Sequence, residues 1–437
     1  MKIIKTVFGE NGCETEETIL PPAEDDGAEM NVIDVYPDEE RQTLYGFGGA
    51  VTEAAGYVYS SLTEEKKKEL IDAYFGENGL GYTFGRISIE SCDFGLGNYG
   101  AKTNETDRFS LSRDEKYVMP LLRDIYGVRR TRLFAAPWSP PPYMKTNNDK
   151  NGGGKLKKEY YALWAKYVRK YIEGYRALGV NIGAVTVQNE LRHEQTWESS
   201  VFTKEEELAL AANYLAPELK PLGVKIYVYD HCRERVFDRA TYAFNNCKDV
   251  DGIAFHWYSG DYFDELKMTR EAFPNKDVVM SEGCVALKST NPDEDEQWSA
   301  AEKYAHDIFG DINGGATAFC DWNLTLDQDR GPSHFRENRP CFADAPVICD
   351  NNQDEVMFQP SYYVIGQFSK FIEAGATVIG CSKAWNDAEV CALQNPDGKI
   401  VVATHNAGGE KRGFIRLGDK LFDINLGEDE YKTFIIE

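Results

Sequence analysis

The chain has 437 residues, with 72 acidic against 48 basic side chains and a formal net charge of −24. That length exceeds one ordinary domain and suits a barrel of ~250 residues carrying a second module, while acidity spread along the whole chain repels polyanions and excludes nucleic acid as a partner. No apolar run approaches the ~18 residues of a membrane span, and the apolar run at the start is too short for a signal peptide. The ten cysteines show no CxxC pairs, so reduced thiols and a cytoplasmic location are expected.

Residues 1–44 hold strand-like pieces at 2–8 and 30–36, separated by Pro21-Pro22 and its acidic neighbours. From Tyr45 strands alternate with longer amphipathic segments. The predicted strands are 46–53, 84–91, 131–138, 182–190, 225–231, 252–258, 277–283 and 316–323. Helices are predicted at 63–75, 112–126, 158–178, 203–222 and 299–312, with Thr63 as an N-cap and Thr203-x-x-Glu206 as a capping box. The Lys66-Lys67-Lys68 run falls on the first of these and reads as a solvated face. Eight strands interleaved with helices point to a (β/α)8 TIM barrel over residues 45–372, closed by an irregular stretch at 332–359 and a helix at 361–372. Beyond it, 389–394 and 400–405 flank Asn395-Pro396-Asp397-Gly398, a hairpin signal, and short strands follow at 413–417 and 431–436. The two chain ends, 1–44 and 373–437, are expected to form one β-sandwich beside the barrel.

A TIM barrel places its active site at the C-terminal ends of its strands. Those ends carry Glu53, Cys92 and Asp93, Trp138, Asn189 and Glu190, Asp230 and His231, His256 with Trp257 and Tyr258, Glu282, and Trp322 with Asn323. Any one of them fits a strand running into a solvated loop, but all eight ends bear a polar or aromatic group. Glu190 ends the fourth strand and Glu282 the seventh, across the mouth from one another. Two carboxylates flanking a sugar ring are what glycoside hydrolysis requires. No GxSxG elbow, HExxH pair or P-loop lysine competes. Gly95-x-Gly97-x-x-Gly100 reads as a loop, because the polar run from Lys102 to Glu105 opens no apolar helix. His231 and His256 reach the mouth from different strands without a cooperating carboxylate pattern, so neither a metal nor another cofactor is expected.

The strings GFGGAVTEAA (46–55), RISIESCDFG (86–95), PWSPPPYMKTNN (137–148), AVTVQNE (184–190), GIAFHWY (252–258), MSEGCV (280–285) and DWNLTLDQDRGP (321–332) are collinear with, and similar to, those of glycoside hydrolase family 30. Within it they resemble the glucosylceramidase and β-glucosidase branch. The resemblance implies a retaining mechanism, with Glu282 as an ionised nucleophile, Glu190 as an acid/base that starts protonated, and Asn189 on the sugar 2-hydroxyl. It further implies that Glu53, where the branch has Asp, accepts from distal hydroxyls. Trp138 and Trp322 would be aromatic walls with Asn323 beside the second, and Tyr258 would orient Glu282 with Cys284 just behind. Asp93 and His256 would contact sugar or support those that do, and Asp230 is a weaker candidate.

Leu191 stands where the family usually has Pro, and the loops 191–200 and 330–344 border the leaving-group side. The expected activity is exo-acting hydrolysis of soluble β-glucosides, with β-1,6-glucanase and β-xylosidase as alternatives within the family. Arg330, Arg336 and Arg339 would either hold an acidic sugar branch or offset local carboxylates. A non-catalytic carbohydrate-binding protein on the same fold would keep the aromatic walls and lose one carboxylate.

Overall fold

Short runs of apolar residues, buried on both faces, close into a parallel barrel. The computed structural model describes every residue except 10, 11, 26, 336–341 and 384, and leaves the side chains of 7–9 and 12–15 undescribed. Its barrel strands are β1 (Phe47–Ala50), β2 (Phe84–Ile89), β3 (Arg132–Pro137), β4 (Ile182–Thr186), β5 (Lys225–Cys232), β6 (Gly252–His256), β7 (Asp277–Glu282) and β8 (Ala318–Asp321). They pair in chain order, with β8 returning to β1. All eight predicted strands are present. Most end earlier than predicted, because the last residues of each apolar run leave the hydrogen-bonded ladder and become the rim that carries the polar side chains. Phe84, Phe134, Ala184, Tyr227, Ala254, Val279 and Ala318 fill the interior, where the Phe84 and Phe134 rings stack 5.4 Å apart.

The helices follow their caps. Thr63 accepts from the Lys66 amide at the start of helix Glu64–Phe75, and Thr203 with Glu206 forms a reciprocal capping box at Lys204–Leu210. The predicted single helix over 203–222 is instead broken by a π turn at Ala211–Leu215 and resumes as two short pieces. Pro217 and Pro221 lack the N–H that a continuous helix needs, and a π turn absorbs the missing bonds. The predicted helix at 112–126 is likewise two helices, Ser112–Lys116 and Val118–Val128. Part of the irregular stretch after the barrel is a small sheet of Leu326–Asp327, Val347–Asp350 and Glu355–Phe358.

Both chain ends join one ten-stranded sheet, in which strand Lys2–Gly9 pairs with Glu430–Ile436. The two layers expected of a sandwich are a single hydrogen-bonded sheet folded over its own core of Ile33, Val35, Ile379, Phe422, Ile424 and Phe434. Strand Lys420–Leu426 touches Glu430–Ile436 although six places separate them in the sheet order. Polar pins fasten this sheet to the barrel: Gln42 donates to the Ile312 carbonyl at 2.7 Å, and His306 meets Glu389 at 2.6 Å. No helix among the described residues is long and apolar enough to cross a membrane, and none of the eight cysteines whose side chains are described forms a disulfide.

Candidate active site

Two bulges deliver the central carboxylates. Between β5 and β6 the register runs from Ala254 opposite Tyr229 to Phe255 opposite His231, which skips Asp230. Between β6 and β7 it skips Ser281, so that His256 stands opposite Glu282. A bulge turns the extra side chain out of the regular alternation. Here it sends Asp230 and Ser281 inward together, with the Ser281 hydroxyl donating to Asp230 at 2.7 Å. The backbone at Tyr229, Asp230 and Glu190 has positive φ, of 77°, 45° and 45°. Such conformations are costly for residues with a Cβ and persist where the surroundings enforce them. The Glu190 amide is tied to the Asp230 carbonyl at 2.8 Å, and the Asn189 amide to the Pro137 carbonyl at 2.8 Å.

One carboxylate oxygen from Glu190, one from Glu282 and a ring nitrogen of His256 all lie within 4.8 Å of one another. His256 stands between the acids, Nδ1 lying 3.4 Å from Glu190 and 3.8 Å from Glu282, while Nε2 is 3.0 Å from Asp230. The Tyr258 hydroxyl donates to Glu282 Oε1 at 3.0 Å.

The centre of the network is Arg86, which sequence reasoning missed. Fully buried in β2, its guanidinium donates to Glu282 at 2.9 Å, Asn189 Oδ1 at 2.8 Å, Asp230 at 2.9 Å and the Ser281 carbonyl at 3.0 Å. It lies 4.7 Å from the Trp138 ring centre and 5.7 Å from that of Trp322. A signal was available: Arg86 is the one charge in the six-residue run Phe-Gly-Arg-Ile-Ser-Ile, and a buried charge needs partners elsewhere. Asp230, the weakest sequence candidate, is the second hub. It accepts from Arg86, Ser281 and Thr186, the last at 2.7 Å.

Electrostatics refine the expected proton positions. Burial works against a charged His256, but the Glu282 charge and the contacts with Asp230 and Glu190 outweigh it and lift the imidazole to about 9. Burial pushes the Glu190 carboxyl up, yet its contact with the His256 charge, helped by His231 and Gln195, holds it down to about 2. Burial dominates at Glu282 and moves it above the usual carboxylate range, against the pull of His256 and Arg86. In the substrate-free site these fields favour a proton on His256, which stands close to both acids, whereas the family resemblance implies that Glu190 starts protonated.

Other expected residues sit as follows. Trp138 and Trp322 are buried and stack on each other, with centroids 5.3 Å apart and planes 20° apart. They form one aromatic plate, with no room for a ring between them, rather than two facing walls. Glu53 opens helix Glu53–Ser61 and is buried, but its oxygens take the Leu96 amide at 2.8 Å and the Arg113 guanidinium. It braces the loop after β2 instead of presenting a free carboxylate. Asn323 has φ of 65°, accepts from the Thr52 hydroxyl at 3.0 Å and leaves its buried Nδ2 without a partner among the described residues. Burial, followed by the charges of Glu282, Glu198 and Glu190, pushes the Asp93 carboxyl well above its ordinary range. Leu191 is fully buried. The loop it opens returns Gln195 to Glu190 Oε2 at 3.2 Å, and Lys145 grips its far end at the Ser199 carbonyl. Arg330 is committed to Asp344 at 3.1 Å; Arg336 and Arg339 lie outside the described residues.

Metal-ligating geometry is confined to two sets among the described residues, Glu190 with His256 and Glu282, and Glu190 with His193 and His231. The first already holds the Arg86 cation against Glu282. A groove of about 870 Å³ between helices Phe263–Ala272 and Glu294–Gly314 and the folded sheet is lined by none of these residues.

Comparison with known proteins agrees with the geometry. Lysosomal acid glucosylceramidase of Mus musculus is 32% identical over 405 residues, covering 87% of this chain and 78% of its own. The endo-1,6-beta-D-glucanase of Neurospora crassa is 26% identical over 401 residues, covering 87% and 82%. The crystal structure of SrfJ from Salmonella typhimurium superposes with a TM-score of 0.94 at 35% identity, covering 99% of this chain and 98% of that one. The family model for the glycosyl hydrolase family 30 TIM-barrel domain matches residues 44–372, and the chain belongs to glycoside hydrolase family 30.

Proposed function

We propose that this glycoside hydrolase is a retaining, exo-acting β-glycosidase that cleaves β-glucosides, with Glu282 as nucleophile and Glu190 as acid/base. The observation that carries the reading is the approach of the two carboxylates, with oxygens within 4.8 Å. Retaining enzymes hold the pair ~5 Å apart, whereas inverting ones need upward of ~6.5 Å to seat a water between them. Arg86 and Tyr258 each donate to Glu282, which aims it and favours its ionised form. Glu282 attacks the anomeric carbon as the bond to the leaving oxygen breaks and that oxygen takes a proton from Glu190. Water then attacks the glycosyl-enzyme ester while Glu190 accepts its proton, and the sugar leaves with its β configuration.

His256 and Glu190 share the proton that this cycle needs, stored on His256 at rest and passed to Glu190 when the sugar displaces water. Asn189, held by Arg86, faces the 2-hydroxyl. The Trp138–Trp322 plate and the free Asn323 Nδ2 complete the inner subsite, and Glu53 acts on it through the 95–96 loop. Nearly all of these groups are buried, as suits a blind pocket that takes one terminal ring.

The deciding experiment compares nitrophenyl β-glycosides of glucose, xylose, fucose, galactose and glucuronate, with the anomer of the product followed by NMR. The glucoside is expected to react fastest and with retention. Preference for the xyloside would remove glucose as the substrate sugar, and inertness toward all five would favour a non-catalytic binding protein. The Neurospora relative supports one second reading, a β-1,6-glucanase. On a linear β-1,6-glucan, an exo enzyme releases glucose from the outset, whereas an endo enzyme first releases mixed oligosaccharides.

The shared proton also sets a pH dependence. With His256 lifted to about 9, the pair keeps its proton below that pH and loses it above, so kcat/KM is expected to fall along an alkaline limb near there. In His256→Asn the proton has only Glu190 to sit on, and the limb should move acidward by more than about one pH unit. A limb that stays in place would show that the proton is held elsewhere.

A further inference from the structure

The loop that departs from the family's pattern carries a feature the hydrolytic cycle does not use. The chain turns back after the acid/base residue, with the His193 amide donating to the Glu190 carbonyl at 2.9 Å, and this sets the His193 ring against His231 on β5. The ring centres are 4.4 Å apart and the planes nearly perpendicular, at 76°. One ligand atom from each of Glu190, His193 and His231 lies within 4.8 Å of the other two. His231 is wholly buried, and neither of its ring nitrogens has a hydrogen-bond partner among the described residues. Buried polar atoms are normally satisfied, so two orphaned nitrogens, one of them within 4.8 Å of a carboxylate oxygen, call for a ligand.

The geometry points to a binding site for a divalent transition-metal ion, of the zinc class, formed by Glu190, His193 and His231, whose occupancy inhibits the enzyme by tying up the acid/base carboxylate. Two imidazoles and one carboxylate are a set that zinc takes at ~2.0–2.2 Å, with a fourth position left to water. Around one tetrahedral ion such atoms stand about 3.3 Å apart, so the three have to close by at most about 1.5 Å. His193 is exposed on a turn and is the member free to move. The nearest cation on this loop, Arg192, is engaged with Glu234 at 3.0 Å. The other candidate set, around His256, already holds Arg86 against one of its acids; at the His193 site the ion has to take Glu190 from His256, which meets it at 3.4 Å. The site itself stands on the geometry alone; only its effect on rate rests on the reading of Glu190 as acid/base.

The test titrates Zn2+ into the full chain by calorimetry, repeats the titration with Co2+ to follow its visible absorption, and measures hydrolysis of nitrophenyl β-glucoside in parallel. Micromolar Zn2+ is expected to bind at one site per chain and slow hydrolysis about tenfold or more, with a chelator restoring the rate. His193→Ala, which alters an exposed side chain outside the reacting pair, should keep its metal-free rate but lose that one site and the inhibition. The Co2+ absorption should show a tetrahedral spectrum in the wild type that is absent from this variant. No binding at micromolar metal, or binding unchanged in His193→Ala, would overturn the site. Binding that depends on His193 but leaves the rate untouched would overturn the inhibition, and would count against Glu190 as acid/base while the site stands.

Discussion

Glu282→Gln is expected to lose ~10⁴-fold or more of its turnover, because the amide keeps the shape of the side chain but cannot form the glycosyl ester. The loss should fall on kcat with every leaving group. Unchanged circular dichroism would show that the loss is not one of folding. Glu190→Ala behaves differently by the same logic. With a nitrophenyl leaving group the first step needs little acid help, so the glycosyl-enzyme forms and its hydrolysis becomes limiting. Added azide, which needs no general base, should then restore the rate and yield the β-glycosyl azide. Substantial residual activity in Glu282→Gln would remove it as nucleophile, and an α-azide would contradict double displacement.

Arg86 gives the second large effect, and its two substitutions separate stability from positioning. Arg86→Met leaves Asp230 buried and charged with its main counter-ion gone, a loss of ~3–5 kcal/mol for a broken buried pair, measurable by urea denaturation. Arg86→Lys keeps the charge but loses the planar fork that holds Glu282, Asn189 and Asp230 at once. A misplacement of the nucleophile by about an ångström is enough to cost ~10²-fold in kcat, with KM changed far less. Wild-type kcat in Arg86→Lys would show that the three acceptors hold their places without the fork.

The barrel was legible because its strands are short apolar runs at regular spacing, and counting them set Glu190 and Glu282 across the mouth from one another, where their oxygens come within 4.8 Å. What the strings could not show is direction and depth. Trp138 and Trp322 sit at the expected strand ends, but only the coordinates reveal that they lie flat together. Glu53 looks like a rim acid in one dimension, yet it opens a helix whose first turn points it toward Arg113. Arg86 was hidden inside a motif string, since its partners come from β5, β7 and the segment after β4, far apart in sequence. The interrupted helix after Thr203 shows a local limit of the same kind. Its periodicity is helical throughout, and two prolines decide the outcome.

The folded sheet has a consequence for how the molecule is made. Strand Lys2–Gly9 leaves the ribosome before the barrel, but its neighbour Glu430–Ile436 emerges only after the barrel has been synthesised. Until then both edges of the early hairpin are open, the situation in which strands of separate chains pair wrongly. Its outer strand, Gly12–Ile19, is rich in glutamate, with Glu16 and Glu17 exposed in the finished fold. Like charges meeting across two such edges repel. The acidity of that outer strand keeps one edge of the unfinished sheet from pairing with other copies of itself.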